Sequence, residues 1–225
     1  MKDFSPLIHI GIHKTATTTL QKSIFSNTDY GFIQITDAET RRLDKEKKIK
    51  KQIVKRFAKY FLVNDEGYFL NPYEDRTKEI QQELEILLSQ KKSSWLIYVL
   101  SNERLSGSPH AGYYDSKYIS TRINKAFPKA KILITFREQR DIIMSLYFQY
   151  ITAGGISSIE EYLDKKYRNF GTPGFLPTSL EYDKIISRYI DLFGRENVLA
   201  IPYELIKFDE YTFLKKIYDF VELPE

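Results

Sequence analysis

At 225 residues the chain is long enough for a sizeable core and is most simply one domain, 1–225. Its apolar share of 42% contains no run long enough to span a membrane, and the absence of cysteine excludes disulfides and thiolate metal sites. Three histidines, His9, His13 and His110, argue against a histidine metal cluster, and the net charge of +4 is local: residues 41–59 hold ten Lys/Arg against Asp44 and Glu46. That is a basic face, not a nucleic-acid signature.

Leu7, Ile8, Ile10 and Ile12 make a short β-branched run that predicts a buried strand. His9 interrupts it and is expected to be a core residue. Leu20, Ile24 and Phe25 then return at helical spacing. Between strand and helix lies Gly11-Ile12-His13-Lys14-Thr15-Ala16, followed by Thr17, Thr18 and Thr19. A strand, a small-residue loop, a lysine, a hydroxyl run and a helix start are the parts of an anion cradle. A phosphate or sulfate ester is the ligand that suits it. The alternative is an ordinary strand-to-helix turn with an exposed lysine. The loop does not fit G-x-x-x-x-G-K-[ST], because Lys14 follows Gly11 by three and no Gly-Lys pair occurs there. Nor does an apolar strand end in an Asp of the kind that holds Mg²⁺ in nucleotide triphosphatases.

Residues 31–35 suggest a short strand or extended return, and amphipathic helices are expected within a helical insertion at about 37–92. WLIYVL at 95–100 reads as a central parallel strand ending in Ser101-Asn102-Glu103, where ligands bind in open α/β sheets. A helix is expected from about Asp115 to Phe127. KILITF at 131–136 is the next strand, with Arg137 directly after it. The helix at 138–152 should turn Ile142, Ile143, Leu146, Tyr147 and Tyr150 to the core and Asp141, Ser145 and Gln149 to another face. Helices are expected around 159–163, 180–193 and 208–221, with a last strand at 197–201. Strands alternating with helices mean a parallel sheet. The fold class is therefore α/β, with a central parallel sheet flanked by helices.

HIGIHKTATTTLQ resembles the 5′-phosphosulfate loop of sulfotransferases, whose bacterial members commonly read H-I-G-x-x-K-T-G-T-T-x-L-Q. KILITFREQRDIIMSLYFQY is similar to the family's 3′-phosphate motif, an Arg after a strand and a Ser eight residues later, here Arg137 and Ser145. DLFGRENVLAIPYELI looks like a third block, in the same order and spacing, and the resemblance implies the family's P-loop-containing three-layer α/β/α fold. Two departures stand out. Ala16 replaces the usual glycine and is expected to be ordinary helical backbone. A Gly-rich basic loop that members often carry near the C-terminus does not occur before Glu225.

The resemblance implies transfer of a sulfuryl group from 3′-phosphoadenosine 5′-phosphosulfate (PAPS), without a metal, leaving 3′-phosphoadenosine 5′-phosphate (PAP). His13, Lys14, Thr15, Ala16, Thr17, Thr18 and Thr19 would hold the 5′ end, through backbone N–H groups and hydroxyls, and Arg137 with Ser145 the 3′-phosphate. Lys14 would stabilise charge on the bridging oxygen. Glu103, at a strand end on the same rim, is the preferred general base and His13 the competitor. A small molecule or glycan is the expected acceptor, and Tyr113, Tyr114, Tyr147, Tyr150 and Phe175 are candidate sugar platforms. MKDFSP enters the first strand almost at once, so the chain is expected to be more like a cytoplasmic bacterial enzyme than a membrane-anchored Golgi one. Neither a nucleic acid nor a membrane span is expected. Two other readings stay open: a P-loop kinase, and a non-catalytic nucleotide-binding scaffold.

Overall fold

A computed structural model of the chain describes residues 5–35, 95–107, 115–164 and 177–223, with the isolated positions 77, 78, 82, 113 and 175. The insertion expected at about 37–92 falls almost wholly outside them.

Among the described residues five strands form one parallel sheet: β1 Leu7–Gly11, β2 Phe32–Gln34, β3 Ile97–Ser101, β4 Lys131–Phe136 and β5 Val198–Pro202. Their order is β2-β3-β1-β4-β5. β1 sits centrally, pairing His9 with Ser101 of β3 on one side and with Leu133 of β4 on the other. Every residue of β1 is buried, which explains its near-continuous apolar character.

Side chains alternate across the sheet and divide the core in two. One face carries Ile8, Ile10, Leu100, Ile132 and Ile134. Helices α2 (Ser116–Ala126), α3 (Gln139–Thr152) and α5 (Tyr182–Phe193) supply Ile119, Ile142 and Tyr189 to it. The other face carries Leu7, Val99 and Leu133. There α1 (Thr17–Leu20, continuing as a wide π-type turn over Gln21–Phe25) meets α7 (Glu210–Val221) through Phe25, Phe213 and Ile217. Each buried phenylalanine contributes about 1.5–3 kcal/mol of transfer free energy. Two short helices, α4 Ile159–Leu163 and α6 Glu204–Phe208, complete the described elements. α6 was not expected from the sequence; it turns the chain immediately after β5.

α5 ends on Gly194 at φ 86°, as its position after Phe193 suggested. α3 presents Ile142, Leu146 and Tyr150 inward as expected. Because all strands are parallel, Gly11, Ser101, Phe136 and Pro202 end at one edge of the sheet, and the segments after them share one rim. Among the described residues, no helix is long and apolar enough to cross a membrane.

Candidate active site

The loop after β1 is shaped by three backbone features. Gly11 has no room for a side chain: a Cβ there would meet Thr17 Oγ1 at 2.0 Å. Ile12 N–H donates to the Thr135 carbonyl at 2.9 Å, so the chain follows β4 one residue beyond the strand. Lys14 and Ala16 then take positive φ, 67° and 53°, with Thr15 between them on the negative side. Backbone of alternating sign curls successive N–H groups toward one concave face, a natural anion nest. Among the described residues no side chain caps the helix that begins at Thr17, which leaves its first N–H groups available to a ligand or water.

Ala16 is therefore a correction to the expected helical backbone. It stands at φ 53°, ψ 28°, the left-handed region that suits glycine. Holding an alanine there costs about 1–2 kcal/mol. Ala16→Gly should stabilise the chain by about 1 kcal/mol in urea unfolding. An unchanged or lowered midpoint would contradict the left-handed placement.

The hydroxyls of Thr15 and Thr17 are also corrected. Both residues were expected to turn hydroxyls toward the ligand, yet both are buried, at 0% and 5% exposure. Thr15 Oγ1 donates to the Ile12 carbonyl at 2.6 Å and meets Thr135 Oγ1 at 2.9 Å. Thr17 Oγ1 lies against Gly11. Thr18 and Thr19 are exposed, so the outward hydroxyls of the run are theirs.

Beneath the loop lies a polar chain inside the sheet. His9, fully buried as a core residue, places Nδ1 2.8 Å from Ser101 Oγ and Nε2 3.0 Å from Thr135 Oγ1. Gln21 Nε2 donates to the Ser101 carbonyl at 2.9 Å and to its Oγ at 3.1 Å. Desolvation lowers the His9 pKa to about 3. The unfolded chain binds a proton at His9 near pH 6.5, while the folded chain stays neutral down to about pH 3. This group's contribution is fully present above pH 6.5 and falls by about 1.4 kcal/mol per pH unit below it. Urea unfolding at pH 6.5 and pH 5 should differ by about 2 kcal/mol through His9, and His9→Gln should remove that difference. Equal pH slopes for both proteins would contradict the neutral, buried imidazole.

Arg137 follows β4 and turns back toward the loop. Its Nη1 lies 3.4 Å from the Lys14 carbonyl, and its guanidinium stands 5.6 Å from the Tyr203 ring centroid. The two cations expected to grip opposite ends of one ligand are thus on one rim. Nη2 pairs with Asp141 Oδ2 at 2.9 Å, while Nε is buried without a hydrogen-bond partner among the described residues. The shared helix face of Asp141 and Ser145 is legible in the sequence, whereas the pairing of Asp141 with Arg137 is not. Ser145 is half-buried two turns into α3. Glu204 receives the Glu138 N–H at 2.9 Å and so fixes the start of α3 from the end of β5. Arg140 is spent on Glu138 and stays in solvent.

Glu103 is exposed and opens a short 3₁₀ turn, Glu103–Ser106, capped by Asn102. Asn102 N–H reaches the His9 carbonyl at 3.3 Å, which holds this strand end beside β1. Tyr113 packs beside the loop. Its ring lies 6.1 Å from the His13 ring, and its hydroxyl hydrogen-bonds the His13 backbone. Burial raises the Tyr113 pKa, helped by the charge fields of Tyr182 and Glu103. Tyr182, packed on Phe136 at 5.8 Å between centroids, also has a raised pKa, first from burial and then from Glu138 and Glu204. Its buried hydroxyl has no partner among the described residues.

The aromatic platforms expected for a sugar are corrected as well. Tyr113, Tyr150 and Phe175 are buried, and Tyr147, Tyr150, Tyr162 and Phe175 pack on one another. Tyr114 and His110 lie outside the described residues. Tyr182 and Thr135 were not foreseen; a threonine inside the apolar KILITF run was the available signal for the latter.

The sequence matches the model of the sulfotransferase family over residues 6–225. The chain belongs to the sulfotransferase family. This sulfotransferase resembles a crystal structure of a sulfotransferase from Alicyclobacillus acidocaldarius, with a TM-score of 0.60 at 18% identity, over 98% of this chain and 81% of that one. It also resembles the sulfotransferase domain from the curacin biosynthetic pathway, with a TM-score of 0.52 at 14% identity, over 98% and 75% of the two chains. At these identities the likeness is one of fold, and the parallel five-stranded sheet with flanking helices is the architecture they share. A search of curated proteins returns no match. Sulfuryl transfer is the activity of the family.

Proposed function

We propose that this sulfotransferase takes its sulfuryl group from PAPS and passes it to a hydroxyl of a small molecule or glycan. The observation that carries the reading is the approach of Arg137 to the Lys14 backbone. It puts the guanidinium beside the loop that carries Lys14, which suits a donor charged at both ends. The alternating backbone of Lys14, Thr15 and Ala16 offers N–H groups to the 5′-phosphate, with His13 at its entry and Thr17–Thr19 opening the helix. The Nε of Arg137, without a partner among the described residues, suits the 3′-phosphate, with Ser145 of the following helix as a hydroxyl donor. PAPS supplies an activated sulfuryl group when bound. The protein's part is to neutralise charge at Lys14 and to accept the acceptor's proton, at Glu103 by preference and at His13 as the competitor.

Arg137→Ala should weaken PAP binding by about 2 kcal/mol. That is the low end for a desolvated charge pair, because the side chain is 21% exposed and already shares a carboxylate. An unchanged dissociation constant would remove Arg137 from the site. The reading as a whole is tested by labelled-sulfate transfer from PAPS to a panel of sugars, phenols and alcohols in EDTA. Transfer to one class is expected. ATP-dependent phosphorylation of the panel, restored only by Mg²⁺, would overturn it in favour of a kinase.

A further inference from the structure

We infer that His9 and Thr135 are positioning residues for the Lys14 loop, acting through a one-directional chain of hydrogen bonds that fixes the tautomer of His9. This rests on the reading of that loop as the donor cradle. The direction follows from counting donors. Thr15 spends its single O–H on the Ile12 carbonyl at 2.6 Å, so toward Thr135 it can only accept. Thr135 must then donate to Thr15, and its own oxygen must accept from His9 Nε2. His9 therefore carries its proton on Nε2, and its bare Nδ1 accepts from the Ser101 hydroxyl. Ser101 in turn accepts from Gln21 Nε2. Each hydroxyl donates once and accepts once, and a neutral imidazole is the only titratable member.

The consequence lies at the far end. The chain ties Thr15 inward, and Thr15 sits between the two left-handed residues Lys14 and Ala16. Pinning the middle residue of the nest fixes the directions of its N–H groups. It also fixes the Lys14 carbonyl that Arg137 approaches. The other end holds Ser101, two residues before Glu103, through Gln21 of α1. One buried chain thus sets the relative placement of loop and strand end. Such preorganisation is worth more at an anion site than at an ordinary turn, since the N–H dipoles must not reorient on binding.

Calorimetry with PAP on the intact chain and on single variants tests this. Thr135→Val removes the link with little change of shape and should raise the PAP dissociation constant about tenfold, the size of one lost buried hydrogen bond. Thr135→Ser restores the hydroxyl and should restore affinity. His9→Gln can offer an amide N–H where Nε2 stood and should bind PAP like the unaltered chain; His9→Asn reaches only the Nδ1 side and should behave like Thr135→Val. ¹⁵N spectra of the unaltered chain should show a pyrrole-like Nε2 and a pyridine-like Nδ1 at His9. A Thr135→Val variant that is less stable but binds PAP normally would reduce the chain to a structural role and overturn the inference. So would the opposite tautomer, a readout that survives even if a variant fails to fold. If the unaltered chain does not bind PAP, the donor-site reading falls and the positioning role falls with it. Normal binding by both proteins overturns the positioning role alone.

Discussion

Lys14→Ala should lower kcat by about 10³ or more while leaving the fold intact. Lys14 is exposed on the loop, and among the described residues no carboxylate is paired with its ammonium. Its backbone, not its side chain, carries the local structure, through φ 67° and the carbonyl that faces Arg137. Removing the side chain therefore costs little stability and could relieve none of the left-handed strain. On the proposed reading, what is lost is a full positive charge where negative charge would grow on the bridging oxygen. A single neutral donor in such a position is worth about 10²–10³ in rate, so a charge belongs at or beyond that limit. Steady-state kinetics with saturating PAPS, alongside a thermal melt, check this. A variant with ordinary kcat would show that the loop holds its ligand without acting in the chemistry.

Glu103→Gln should lower kcat by about 10²–10⁴, with PAP affinity retained. The substitution keeps size and one acceptor oxygen but cannot take a proton. Glu103 has no ion-pair duty among the described residues, and its local role is confined to the first residue of a capped turn. A large loss with unchanged melting temperature would separate general base from structural residue. His13→Ala is the companion measurement. Its ring is tied to the Tyr113 packing, so its loss should act mainly on stability and donor binding. If His13→Ala abolishes turnover while Glu103→Gln retains it, the base is His13.

The sheet was legible because its strands are short, apolar and separated by clear helical periods. WLIYVL and KILITF leave little choice, and each is followed by polar residues at the rim. Lys14 and Arg137 were legible for the same reason, as charged residues directly after or near a strand end. Periodicity could not show which way a small polar side chain turns. Thr15 and Thr18 look alike in a run of threonines, yet one is sealed in the sheet and the other faces out. That choice depends on Thr135 and His9, 120 and six residues away respectively. Ala16 misled because alanine favours helix, whereas the closed turn between Lys14 and Thr17 imposes the left-handed state. The tyrosines misled because aromatic residues near a rim pack into the core as readily as they line a ligand.

The central claim is that one rim grips both charged ends of a doubly phosphorylated adenosine, and calorimetry in EDTA comparing PAP with adenosine 5′-phosphate tests it most directly. The account predicts micromolar binding of PAP, and binding of adenosine 5′-phosphate weaker by about the same 2 kcal/mol that Arg137→Ala costs. That variant should no longer distinguish the two ligands. Equal affinity of the unaltered chain for both would contradict the account, because Arg137 would then have no phosphate to hold.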